Sequence, residues 1–205
     1  MEESMIYKKY LDKCTTISDI NEHLPTLYKY GKACNHITEC GTRNVFSTYA
    51  FASSLLNNTN NKLTIIDISQ NNNIINFINE CKNENINITF HNESDLTCEL
   101  EQTDLLFIDT FHVYGHLKQE LERWNKYVNK FIILHDTTID EYTSEFVRHK
   151  IDITNMMEKY NMTYHELYIG LWPAVEEFLS NNEWKLKERF INNNGLTILE
   201  RITDV

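Results

Sequence analysis

Two short apolar runs that each stop at a polar pair constrain this chain more than any other feature. Residues 105–108 (LLFI) end at Asp109, with His112 three positions on; residues 131–134 (FIIL) end at His135-Asp136-Thr137. Runs of this length without alternation read as strands buried on both faces, the pattern of a parallel sheet covered by helices. In such sheets ligands sit beyond the carboxyl ends of the strands, where Asp109, His112, His135 and Asp136 fall. Asp and Thr also cap helices and turns. Two strand ends that both carry Asp and His favour a shared site over two independent caps.

The 205 residues fit one domain with a substantial core. A net charge of −11 argues against nucleic acid as a partner, because phosphates require a basic patch. No apolar stretch reaches membrane-spanning length, and the MEESMIYKKY start lacks the apolar centre of a signal peptide, so a cytoplasmic protein is expected. Five scattered cysteines without CxxC spacing read as reduced thiols and argue against a thiolate zinc site.

In chain order, residues 1–35 form a helical cap, with Ile20, Leu24, Leu27 and Tyr28 at roughly helical spacing, Pro25 as a break and Gly31 as a stop; this piece is expected over the mouth of the sheet. HITEC is a first strand, and Asn44 caps a helix reaching Leu56. The intervening turn has one glycine, Gly41, and is not a phosphate-binding loop; a negative Glu39 suits a cationic or amine-bearing ligand. LTIIDI (63–68) is a second strand, with Asp67 near its carboxyl end placed either to accept ribose hydroxyls or to cap a helix. INITF is a third, followed by a polar loop at 91–95 suited to an adenine pocket. Val113, Tyr114, Leu117, Leu121, Trp124 and Val128 make one apolar helical face, which leaves His116 on another, solvent-exposed side. Residues 138–171 read as a lid or substrate region. Trp172-Pro173 opens a helix, and residues 184–190 form an edge strand with one charged face, leading through Asn192-Asn193-Asn194-Gly195 to a returning strand. The fold class is therefore α/β: five parallel strands alternating with helices and closed by an antiparallel hairpin. The edge strand is a surface on which a homo-oligomer could pair.

ITECGTRNVFSTYAF, LLFIDTFHVYGHLKQEL, FIILHDT and WKLKERFINNNGLTILER resemble class I S-adenosylmethionine-dependent methyltransferases, specifically the group of cephalosporin hydroxylase-type proteins and metal-dependent O-methyltransferases of macrolide sugars. The resemblance spans nearly the whole chain. Its most specific part is Asp-x-x-His-x-Tyr at Asp109, His112 and Tyr114, combined with His135-Asp136-Thr137. It implies a Rossmann-like fold, S-adenosylmethionine as cofactor and O-methylation of a sugar or glycosylated small molecule. Glu39, Gly41 and Thr42 would border the methionine end of the cofactor, Asp67 the ribose, and Ser94 and Asp95 the adenine. Asp109 would border both cofactor and metal. Asp109, His135 and Asp136 would hold a divalent ion, Mg²⁺ or Mn²⁺, and His112 would be the general base. Two departures stand out: His135 replaces an acid, and Thr110 replaces a glycine. A mixed carboxylate–imidazole set favours Mn²⁺, Fe²⁺ or Zn²⁺ over Mg²⁺.

The implied chemistry is removal of a hydroxyl proton by His112, with an ion on the two acids lowering that hydroxyl's pKa, before methyl transfer to the oxygen. Two alternatives remain open. One is a non-catalytic protein that keeps the fold for binding. The other is a metal-dependent oxygenase, using His112, His135 and Asp109 as a facial triad.

Overall fold

The computed structural model describes residues 4–180 and 183–202. Seven strands form one sheet: β1 (His36–Cys40), β2 (Lys62–Ile66), β3 (Ile88–His91), β4 (Thr103–Ile108), β5 (Val128–His135), β6 (Trp184–Phe190) and β7 (Leu196–Arg201). Their order is β3-β2-β1-β4-β5-β7-β6. The first five are parallel, and β7 runs antiparallel to both β5 and β6, as the sequence pattern implies. In the edge strand β6 Trp184 is buried, Lys185, Leu186 and Lys187 are exposed and Glu188, Arg189 and Phe190 are half-buried, so the alternation read from sequence is not kept, and the Asn-rich turn before β7 takes positive φ at Asn193, Asn194 and Gly195.

Period-two alternation sends the core to two faces. Ile37, Leu63, Ile65, Leu105, Phe107 and Ile133 join one cluster; Cys40, Ile66, Leu106, Ile108, Ile132 and Leu134 join the other. The first face is covered by α1 (Met5–Thr15), α2 (Leu24–Gly31), α3 (Phe46–Leu55) and α4 (Asn72–Lys82). The second is covered by α5 (Tyr114–Trp124) and, later in the chain, by the helix Trp172–Ser180. Trp124 is core, as its place on the apolar face of α5 predicts.

The amino-terminal helices correct one expectation. They pack against α3 on the face of the sheet rather than over its mouth, which is why every residue of α3 from Ser47 to Leu55 is buried. Only the connection at Asp19 reaches the mouth, through an Arg43 ion pair and a backbone carbonyl facing His135 Nε2 at 3.1 Å. Asn44 does not cap α3. The cap residue is Val45, in the left-handed region with φ 54°, and its amide bonds the Thr42 carbonyl instead. A β-branched residue there is strained, and burial of the Val45 side chain against the core offsets that cost.

Residues 138–171 fold into short helices, α6 (Glu145–Arg148), α7 (Met157–Tyr160) and α8 (Tyr164–Tyr168), before α9 (Trp172–Ser180). They enclose a third apolar cluster of Val113, Phe146, Ile153, Met162 and Leu167. Among the described residues, no helix is long and apolar enough to cross a membrane.

Strand order reverses between β1 and β4, so a crevice opens at their carboxyl ends. Its floor is fixed by a close backbone approach. The Asp109 amide bonds the Cys40 carbonyl at 2.9 Å, and a Cβ on Gly41 (φ +84°) would lie 2.1 Å from the Asp109 carbonyl oxygen. We predict that Gly41→Ala destabilises the protein by about 1–3 kcal/mol or more, from strained φ plus backbone collision. Chemical denaturation measures this; an unchanged midpoint would contradict the close approach.

Candidate functional site

The crevice is a cavity of about 630 Å³, a volume typical of small-molecule sites. Its wall runs from the β1 turn (Gly41, Thr42, Arg43) past Asp67 to the loop 93–96, then to Asp109–His112, His116 and Asp136, and is roofed by Lys159, Tyr160 and Met162 from the lid. Of the residues predicted for cofactor binding, Gly41, Thr42, Asp67, Ser94, Asp95 and Asp109 lie on this wall.

Asp67 closes the first turn. Its Oδ2 accepts the Thr42 amide and the Thr42 hydroxyl, both at 2.9 Å, while Oδ1 accepts the Ser69 amide at 2.8 Å. The Arg43 amide also approaches Oδ2 at 3.4 Å, so of the roughly four acceptor positions of a carboxylate the free one is on Oδ1. Glu39 lies differently from expectation. It is fully buried beneath the turn rather than on the cavity wall, and its Oε1 accepts the Ser47 hydroxyl at 2.5 Å. Burial pushes its carboxyl up to about 8, so it is neutral near pH 7 and does not present the negative charge read from sequence.

The chemistry-bearing groups meet where β4 and β5 end. His112 Nε2 lies 3.0 Å from Asp136 Oδ2 and 3.6 Å from Asp109 Oδ1, and its Nδ1 lies 3.0 Å from Asp140 Oδ2. Asp140 is fully buried and takes both arms of Arg148, each at 2.7 Å. His135 lies beneath the same carboxylates. Its Nδ1 is 3.3 Å from Asp109 Oδ1 and 3.4 Å from Asp136 Oδ2, while Nε2 faces the carbonyls of Asp19 and Asn193.

This arrangement assigns protonation states. Both nitrogens of His135 face acceptors only, so both must donate and the ring is an imidazolium. Burial opposes that charge, but Asp109 and Asp136 hold the His135 pKa well above its ordinary value. His112 follows the same logic. Burial lowers its pKa, and Asp109, Asp140 and Asp136 together outweigh burial and raise it to about 10. Asp109, half-buried on the cavity wall, is held far below the usual carboxylate range against its desolvation, chiefly by His135 and His112.

Two sequence expectations change here. Asp109, His112 and Asp136 bring donor atoms within 4.8 Å of one another on the cavity wall, so the two carboxylates that could hold an ion have His112 beside them, while His135, expected as the third ligand, lies beneath them. His135, with its side chain 1% exposed and both nitrogens already engaged, is a buried counter-charge. For the same reason the facial triad of His112, His135 and Asp109 does not present three free donors to the cavity. The donor set does fit a divalent ion. Two carboxylates, Asp109 and Asp136, converge beside His112, and Asp136 Oδ1 is buried without a hydrogen-bond partner. Sequence reasoning missed Asp140 and Arg148. They lie in a polar segment without periodicity, and only the spacing of Asp140 four residues beyond Asp136 hinted at a shared turn.

Residues 38–137 match the family model described as a methyltransferase domain. Over those residues the chain is similar to a methyltransferase domain. Its fold is that of the class I S-adenosylmethionine-dependent methyltransferases, as the motif resemblance implied. Among solved structures, an O-methyltransferase of Bacillus cereus in complex with S-adenosylhomocysteine aligns over 98% of this chain and 92% of its own, at 11% identity and TM-score 0.59. An O-methyltransferase of tomaymycin synthesis from Streptomyces achromogenes, bound to S-adenosylmethionine, aligns over 98% and 92% at 10% identity and TM-score 0.60. A Podospora anserina methyltransferase bound to S-adenosylhomocysteine aligns over 96% and 87% at 11% identity and TM-score 0.53. No curated protein sequence matches.

The charge assignment makes a prediction for this site. Because the His112 pKa is raised, its pairing adds stability that is fully present below pH 6.5 and lost as pH rises through about 10. In nitrogen-detected NMR titration of the ion-free protein, the His112 ring should stay protonated through pH 8, and Asp140→Asn should lower its midpoint. A His112 midpoint near 6.5 in the unaltered protein would contradict the assignment.

Proposed function

We propose that the chain is an S-adenosylmethionine-dependent O-methyltransferase that acts, with metal assistance, on a hydroxyl of a sugar or glycosylated small molecule. The observation that carries this reading is the juxtaposition, in one cavity, of the Gly41–Thr42–Asp67 turn and the Asp109–His112–Asp136 cluster. The family model, the solved methyltransferases and the motif resemblance support it.

S-Adenosylmethionine, when bound, supplies the methyl group, and a divalent ion held by Asp109 and Asp136 would lower the pKa of a substrate hydroxyl. The remaining work belongs to the chain. Gly41, Thr42 and Asp67 would bind the methionine and ribose portions, and Ser94 and Asp95 the adenine end. His112 Nε2 takes the hydroxyl proton, and Asp140 fixes the ring by accepting Nδ1–H. Arg148 in turn orients Asp140. A histidine held at a pKa of about 10 starts out protonated, so it acts as base only after releasing its proton to solvent, a release that a cation held by Asp109 and Asp136 would favour by neutralising the carboxylates that raise the His112 pKa. Transfer should therefore quicken as pH rises from 7 toward 10. Phe111, from the loop after β4, and the lid residues Tyr160, its ring 4.8 Å from that of Phe111, and Met162 would exclude water and border the acceptor. Segment 138–171 is thus the part of the chain proposed to select the substrate.

His112→Ala should retain S-adenosylmethionine binding by calorimetry and lose methyl transfer to a panel of sugar acceptors by 10²-fold or more, within the usual range for a general base of about 10²–10⁴. Unchanged turnover would remove His112 from the base role. Failure of the unaltered protein to bind S-adenosylmethionine would overturn the methyltransferase reading itself.

A further inference from the structure

A second group of titratable side chains lies outside the cluster just described. His116 was expected to point into solvent from the polar side of α5. Instead its side chain is 13% exposed and faces Asp95, from the loop after β3, and Glu120, one turn further along α5. We infer that Asp95, His116 and Glu120 form a second divalent-cation site, suited to Zn²⁺ or Mn²⁺, distinct from the Asp109–Asp136 cluster and made from the loop after β3 and α5.

The distances carry the first part of the argument. His116 Nε2 is 3.6 Å from Asp95 Oδ1 and 3.6 Å from Glu120 Oε1, and donor atoms of the three residues lie within 4.8 Å of one another. A separation of 3.6 Å is too long for a nitrogen–oxygen hydrogen bond. It is close to the edge of a tetrahedron, about 3.3–3.6 Å, around an ion with ligand bonds of about 2.0–2.2 Å.

The second part is a pair of buried carboxyl groups with unpartnered oxygens, in which burial and the neighbouring Asp95 push the Glu120 carboxyl well above the usual range. Asp95 is 5% exposed and Glu120 fully buried, yet Asp95 Oδ2 and Glu120 Oε2 have no hydrogen-bond partner. The two carboxyl groups are neighbours, each acting on the other. Among the described residues, no lysine or arginine forms an ion pair with either one. The nearby Arg123 instead donates to the backbone carbonyls of Asp95 and Cys98. Two buried carboxyls set side by side without a cation are costly, and a shared divalent ion removes that cost.

The surroundings fit a ligand set. Thr110 donates its hydroxyl to Glu120 Oε1 at 2.6 Å, an outer hydrogen bond of the kind that orients a ligating carboxylate. One imidazole and two carboxylates prefer a borderline ion to Mg²⁺. Asp95 and His116 both line the cavity, so a fourth coordination position is open to it. This site stands on its own geometry and does not require the methyl-transfer reading; where both hold, the Asp95 carboxylate belongs to the ion and the adenine end would meet the same loop at Ser94.

The test uses full-length, chelator-treated, untagged protein titrated with ZnCl₂ by calorimetry. Asp136→Asn removes a ligand of the first cluster, and asparagine tolerates the left-handed backbone at that position. This variant should still bind one equivalent of Zn²⁺. Adding His116→Ala or Glu120→Gln to it should weaken that binding by at least tenfold. His116→Ala decides the matter if loss of the buried Glu120 carboxyl prevents folding, as judged by circular dichroism. No zinc bound by Asp136→Asn, or unchanged affinity after His116→Ala, overturns the proposal and leaves a proton shared between Asp95 and Glu120 as the account of the cluster.

Discussion

The site depends on the backbone contact between the ends of β1 and β4. The Asp109 amide bonds the Cys40 carbonyl, and Gly41 passes so close to the Asp109 carbonyl that only a hydrogen fits between them. This contact sets two chemistries at a fixed distance. The turn that Asp67 closes stands on one side, and the carboxylate–imidazole cluster on the other. Strand reversal at this point explains why both face the same cavity rather than opposite edges of the sheet.

Charge balance is the second constraint. Asp109, Asp136 and Asp140 converge at the ends of β4 and β5 and would repel one another in a low-dielectric interior. His112, His135 and Arg148 compensate them. The three cations are not equivalent. His135 is sealed beneath the carboxylates and Arg148 approaches Asp140 from α6, whereas His112 lies on the cavity wall. His112 is therefore the one whose charge an arriving ion or hydroxyl can displace, which connects the stability of the ion-free protein with the base role proposed for the same ring.

The sheet was legible from sequence because its strands are buried on both faces. Unbroken apolar runs such as 105–108 and 131–134 have few other solutions, and the Asn-rich turn with Gly195 announces the closing hairpin. The residues at the strand ends were legible for the same reason: a polar group ending a buried strand has one place to go. What could not be read depends on tertiary neighbours. His116 lies off the apolar stripe of α5, which suggests solvent, but the loop 93–96 covers that side. Glu39 looks charged in a list of residues, while α3, itself buried under the amino-terminal helices, excludes water from it. Asp140 and Arg148 sit in a segment without periodicity, and only the folded lid brings them to His112.

The central claim is that the crevice at the β1–β4 junction binds S-adenosylmethionine across the turn, Asp67 and the 93–96 loop. Hydrogen–deuterium exchange with and without S-adenosylmethionine tests it most directly. The account predicts slowed exchange at amides of 41–43, 67–69 and 93–96, and no change in the β6–β7 hairpin. Exchange unchanged throughout the crevice, or protection confined to segments remote from it, would contradict the account.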